Sequence, residues 1–222
     1  VDPPPAGADI RRLINLGQIV QSNALSFFHL SSPDLLFGFD ADMSKRHILG
    51  VAQANPQMAK DGIAHRRWGQ QIIERLGGKR LHPGGVIPGG VADPLTEEVR
   101  DAILAGVPDA LERIQRTIKW YKDHMLGWEE EASTFGNFRS AFMSLVDEKG
   151  NVDHYGGHLR FVDADGSVLE DFDPMDFNGY IGEAVEPWAY LKSTYYKPLG
   201  YPDGLYRVGP LARMNVAEAC GS

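Results

Sequence analysis

Arg11, Asn15, Gln18, Ser22, Ser26 and His29 recur every three or four residues. On a helix turning about 100° per residue, that spacing gathers them into a sector of roughly 80°. From Leu13 to Pro33 no side chain carries a charge, so beyond Arg11 the stripe is made of amides, hydroxyls and an imidazole. Such groups exchange hydrogen bonds without adding net charge, which suits an interior polar site where every donor must find a partner. The same stripe also reads as the solvent side of an amphipathic helix, although such sides are usually rich in Lys and Glu. Both readings stand on the helix alone.

Other candidates are weaker. His82 lies in the run Leu81-His82-Pro83-Gly84-Gly85; an imidazole there can pass a proton near neutral pH, or simply decorate the surface. His154 and His158 have the H-x-x-x-H spacing that places two zinc ligands on one helix face, but Tyr155-Gly156-Gly157 between them reads as a turn. The string from Asp163 to Ser167 begins like a calcium loop, yet Pro174 stands where a bidentate Glu is required, so a hairpin turn explains it better. The sequence holds no glycine-rich phosphate loop, no serine nucleophile elbow and no C-x-x-C pair, and its one cysteine, Cys220, has no internal disulfide partner.

At 222 residues and 43% hydrophobic the chain can bury a real core. Its formal charge of -8, with Lys and Arg scattered singly or in pairs, gives no concentrated positive surface for a phosphate backbone, so nucleic acid is not an expected partner. The uncharged stretch from Leu13 to Pro33 is long enough to span a bilayer but carries too many amides and hydroxyls, and membrane insertion is not expected. The single cysteine and the lack of a signal peptide point to the cytoplasm. Both ends of the sequence look cut, so a fragment is expected.

These residues need elements to position them, and the expected fold class is α+β. Long buried helices should fill the N-terminal half (1–135), and an antiparallel β meander and an irregular segment the C-terminal half (136–222). Asp9 can cap a first helix running to about Leu30, ended by Ser31-Ser32-Pro33, with a short helix from Asp34. Asp42 or Ser44 can cap another that stops before Pro56, and Pro56 suits the first turn of the next. There Met58, Gly62, His65, Gly69, Ile72, Ile73 and Leu76 form one stripe, Gly62 and Gly69 invite close approach of a neighbour, and Gly77-Gly78 is a stop. Residues 79–94, with Pro-Gly-Gly repeated, form a shaped loop. Helices are expected over Thr96–Ala105 and from Pro108 to about Ala132. From Ser140 the period changes to two, giving three strands joined by turns at Lys149-Gly150-Asn151 and Asp165-Gly166-Ser167. The remainder, aromatic and rich in Pro and Gly, reads as an irregular wrapping segment.

Four segments go further. QSNALSFFHLSSPDLLFG, GGKRLHPGGVIPGGV, EAVEPWAYLKSTYYKPLG and YRVGPLARMNV resemble, in order and at about these separations, segments of nickel-iron hydrogenase large subunits. The resemblance is to the cytoplasmic, cofactor-coupled type, both NAD-reducing and methanogen-type. Membrane-bound uptake enzymes carry an Asp-His pair before a His-Phe-Tyr-His run. Here Ser22 and Asn23 stand at the Asp-His positions, Ser26 at the next His and His29 at the last.

The resemblance implies reversible oxidation of H2 to protons and electrons at a nickel-iron centre held by two C-x-x-C pairs, one before and one after this stretch in the family. Neither pair is present. The chain alone should therefore hold neither metal nor activity, and it supplies no catalytic residue and no metal ligand; Cys220 receives no role. Ser22, Asn23, Ser26 and His29, followed by His82, are the implied surroundings of the centre, with Ser22 in place of an acidic residue above the open metal position. Ser22 and His29, seven residues apart, should share one inward-pointing face. The implied partners are an electron-acceptor module and an iron-sulfur small subunit, while the fragment alone is expected to self-associate. The rival reading is a non-catalytic, hydrogenase-like quinone-binding subunit of a respiratory complex.

Overall fold

The computed structural model describes residues 2–218, so Cys220 lies outside the described residues. The fold is α+β, as expected, and divides into two compact units meeting in sequence at Ser133 and Thr134.

The first unit is helical. Helix α1 (Pro5–Ala24) starts at Pro5, not after Asp9. Pro5 occupies the first turn, where a missing N–H costs nothing, and the Pro4 carbonyl accepts from Ala8 N. The coil then widens into a π-helical segment, Leu25–Ser31, and runs directly into α2 (Ser32–Phe37). Ser31-Ser32-Pro33 is thus no break: Pro33 has no N–H to offer the preceding turn, and the Ser32 hydroxyl donates to the Phe28 carbonyl at 2.5 Å instead. Helix α3 (Ile48–Ala54) is capped by the His47 side chain, not by Asp42 or Ser44. Asp42 Oδ1 is engaged locally, accepting from Ser44 N at 2.8 Å.

Helix α4 (Pro56–Gly77) follows its expected pattern. Asn55 caps it by accepting from Met58 N, Gly78 ends it at φ 81°, and the whole stripe from Met58 to Leu76 is buried. It packs along α1, whose buried side is Ile10, Ile14, Gly17, Gln21 and Ala24. The glycines set the approach. A Cβ on Gly69 would sit 2.8 Å from Gln21 N and from Gly17 O, and one on Gly62 would sit 2.5 Å from Phe28 Cβ. The 79–94 loop contains a small hairpin of β1 (Val86–Ile87) and β2 (Gly90–Val91). Helices α5 (Glu97–Ala105), α6 (Val107–Met125) and α7 (Glu129–Thr134) follow, with the Thr96 side chain capping α5 and a gap at 126–128 where one helix to about Ala132 was expected. No helix among the described residues is long and apolar enough to cross a membrane.

In the second unit β3 (Ala141–Val146), β4 (His158–Val162) and β5 (Val168–Phe172) form the antiparallel meander. The next stretch is more regular than its composition suggests. A short α8 (Phe177–Tyr180) leads into a hairpin of β6 (Ile181–Ala184) and β7 (Ser193–Tyr196). Strand β8 (Tyr206–Arg207) then joins the meander edge parallel to β3, and α9 (Gly209–Val216) packs on β3 and β4. Phe142, Val146 and Val162 meet Ala212 and Val216 on one side, while Phe161, Phe172 and Tyr196 cluster separately.

Candidate functional site

The polar stripe divides by depth. Arg11 is a clamp: its guanidinium donates to the Ile87 and Gly90 carbonyls at 2.6 to 3.0 Å, tying the hairpin to α1. Ser22, Asn23 and Ser26 are exposed, and Asn23 Nδ2 donates back to the Ile19 carbonyl at 2.9 Å. His29 is half-buried, with Nδ1 sealed from solvent and unpartnered. The inward-pointing face expected for Ser22 and His29 is therefore not found in this chain. The helix buries its apolar and glycine side on α4, and the widened coil from Leu25 breaks the seven-residue register between the two residues. His82 is exposed on the loop with a left-handed φ of 51° and is not brought to the stripe.

A different constellation forms beside Asn23. Ile19, Val20, Asn23 and Ala24 of α1, Phe27 and Phe28 of the π-helical segment, His65 of α4, and Ile114, Thr117, Ile118 and Tyr121 of α6 line a cleft of about 360 Å³. Its walls carry no charged group, and its polar members are few. Thr117 donates to its own helix at the Arg113 carbonyl, 2.8 Å away. His65 is only 8% exposed, and its Nδ1 is buried with no hydrogen-bond partner. Burial, with the positive charge of Arg113 second, pushes the His65 pKa down against the opposing pull of Asp61, so the ring is neutral at neutral pH.

One turn earlier on α4, Asp61 is 4% exposed and fully paired. Arg116 of α6 grips it in a fork, Nε to Oδ2 at 2.9 Å and Nη2 to Oδ1 at 3.0 Å, and Gln57 donates at 2.9 Å. Burial alone would raise the Asp61 pKa; the hydrogen bonds from Arg116 and Gln57 outweigh it and hold the carboxyl low. This α4–α6 pairing was missed in the sequence. Its local signal is an acidic residue beside the apolar stripe, four residues before His65, but the partner lies 55 residues away.

The donor chemistry does not fit a nickel-iron centre held by these residues. Soft thiolates are the ligands such metals favour, and the described residues offer hydroxyls, amides and separate imidazoles. No group of three or more His, Cys, Asp or Glu placed to hold a metal occurs among the described residues. The exposed stripe and half-buried His29 can surround a group whose ligands come from elsewhere.

No protein-family model matches the chain. Among curated proteins it is 40% identical over 218 residues to a polypeptide of the F420-non-reducing hydrogenase vhu of Methanocaldococcus jannaschii, covering 98% of this chain and 52% of that protein. It is 36% identical over 221 residues to the beta subunit of NAD-reducing hydrogenase HoxS of Cupriavidus necator, covering 97% and 45%. Among solved structures it superposes on an NAD+-reducing [NiFe]-hydrogenase in the H2-reduced state with a TM-score of 0.93 and 38% identity, covering 98% of this chain and 49% of that one. The [NiFeSe]-hydrogenase of Dm. baculatum, at 19% identity and a TM-score of 0.70, shares the fold. The chain spans about half the length of the curated relatives it matches. By sequence and by fold, it belongs to the family of nickel-iron hydrogenase large subunits.

Proposed function

We propose that the chain is the central portion of the active-site subunit of a nickel-iron hydrogenase, which in the complete protein interconverts H2 with protons and electrons. The observation that carries this is end-to-end agreement with an NAD+-reducing [NiFe]-hydrogenase, at a TM-score of 0.93 and 38% identity over 98% of the chain. In the complete subunit the nickel-iron centre is held by thiolates from outside these residues. Ser22, Asn23, Ser26 and His29 face it and fix the hydrogen bonding around it, with His82 further out. The complete protein works in the cytoplasm with an electron-acceptor module and an iron-sulfur subunit, in keeping with the multi-subunit naming of its relatives.

The test is hydrogen uptake by the complete protein, assayed with an artificial viologen acceptor so that the natural acceptor need not be known. H2-dependent viologen reduction is the expected result. A correctly assembled, metal-loaded protein that reduces no viologen under H2 would overturn the proposal.

A further inference from the structure

The first helix changes its hydrogen-bond register along the stretch that carries Ser26 and His29. Where the change begins, Leu25 N–H donates to the Gln21 and Ser22 carbonyls, four and three residues back; where it ends, Ser32 N–H donates to the Phe27 carbonyl, five residues back. That step strands one carbonyl. Phe28 would be served by Ser32 N–H in an α-helix and by the N–H of residue 33 in a π-helix. Here Ser32 N–H is used by Phe27 and residue 33 is a proline with no N–H. The Ser32 hydroxyl fills the gap, donating to the Phe28 carbonyl at 2.5 Å.

The surroundings make that hydroxyl hard to replace. Ser32 is fully buried and Phe28 nearly so, which keeps solvent from taking its place. Phe28 is also seated tightly, since a Cβ on Gly62 would lie 2.5 Å from its own Cβ. In an uninterrupted α-helix the Pro33 ring would meet the carbonyl four residues back, that of His29. Pro33 thus opposes closing the coil, and Ser32 satisfies the carbonyl that the open coil leaves over. One residue of register is worth about 100° of turn, enough to carry His29 to a different side of the helix relative to Ser22.

We infer that Ser32 is a positioning residue for the hydrogenase reaction: by serving the Phe28 carbonyl it holds the widened coil, and the coil sets where Ser26 and His29 stand around the metal centre. Ser32 acts through those two residues. The inference rests on the functional reading above, which puts Ser26 and His29 around that centre.

Two variants of the complete, matured protein test it, Ser32→Ala without the hydroxyl and Ser32→Thr with it. At a nickel content equal to the parent's, Ser32→Ala should change the electron paramagnetic resonance spectrum of the nickel and lower hydrogen uptake about tenfold or more. Ser32→Thr should return both toward the parent. An unmoved nickel spectrum in Ser32→Ala, or the same change in Ser32→Thr, would overturn the inference. If Ser32→Ala accumulates without nickel, Ser32→Cys, with nearly the same volume and a weaker donor, is read by the same two criteria. The parent separates the two readings. A parent without nickel or uptake sinks the hydrogenase reading, whereas an active parent with an unmoved Ser32→Ala spectrum sinks the positioning inference alone.

Discussion

Helix α4 meets α1 along one flank and α6 along the other, and the two contacts are built differently. Toward α1 the surface is finished: Gly69 admits α1 to backbone distance, Gly62 makes room for the Phe28 side chain of the π-helical segment, and Ile72, Ile73 and Leu76 close with Ile10 and Ile14 into one apolar cluster. Toward α6 the contact is finished only at Asp61, where a forked Arg116 satisfies the carboxylate. One turn on, His65 has no partner and the cleft stays open. A contact whose polar groups are all satisfied within the chain belongs to this chain's own folding. The other flank leaves the His65 Nδ1 buried without a partner beside an apolar cleft.

The largest expected effect falls on the finished flank. Gly69→Ala puts a methyl 2.8 Å from the backbone of α1, where nothing can rotate away, and should cost about 1–3 kcal/mol in urea unfolding. A methyl added at Gly84 would meet no atom within 4 Å, and the φ there lies outside the left-handed range, so Gly84→Ala should be neutral or stabilise by up to about 1 kcal/mol. Equal losses at the two positions would break the claim that glycine spacing seals α1 on α4.

The open flank should show itself in pH. The His65 pKa is lowered by burial and then by Arg113, below the roughly 6.5 of an exposed histidine. The unfolded chain therefore binds the proton more readily, and the stability due to neutral His65 is complete above a pH of about 6.5 and lost as pH falls below it. Asp61, held low by Arg116 and Gln57, stays ionised through that window. The urea midpoint should fall between about pH 7 and pH 5 in the parent chain and fall less in His65→Leu. Identical slopes would show that the ring is not the buried, neutral group described.

The smallest structural effect belongs to the exposed stripe. Ser22→Ala removes a solvated hydroxyl and should change the stability of this chain by less than about 0.5 kcal/mol. If Ser22 faces the metal centre in the complete protein, the same change should alter hydrogen uptake there. A stability loss above about 1 kcal/mol in the isolated chain would instead assign Ser22 to the fold.

Much of this was legible in the sequence where the signal is local. The α4 stripe, its Pro56 start and Gly77-Gly78 stop, and the period-two strands of the meander are each written within a short window. The rest depends on distant pairing. Strand β8 is two residues long and takes its place in the sheet from pairing with β3, whose Ala141 faces Tyr206 across a long stretch of chain; nothing in Tyr206-Arg207 announces it. Asp61 looks like a surface residue until Arg116 reaches it. The widened coil at Leu25–Ser31 follows from Pro33 lacking a donor, yet a proline there predicts a break equally well. The polar stripe was visible as a pattern, but its exposure depends on what else packs there, which the spacing of Ser22, Ser26 and His29 does not encode.

The most direct test of the central claim, that this chain surrounds a metal centre held by thiolates from elsewhere in the subunit, is elemental analysis of two purified samples. One is the 222-residue chain and the other is the complete subunit, both matured in the same host. The account predicts stoichiometric nickel and iron in the complete subunit, with neither metal in the chain alone. Nickel bound stoichiometrically by the isolated chain, or absent from a matured complete subunit, would contradict it.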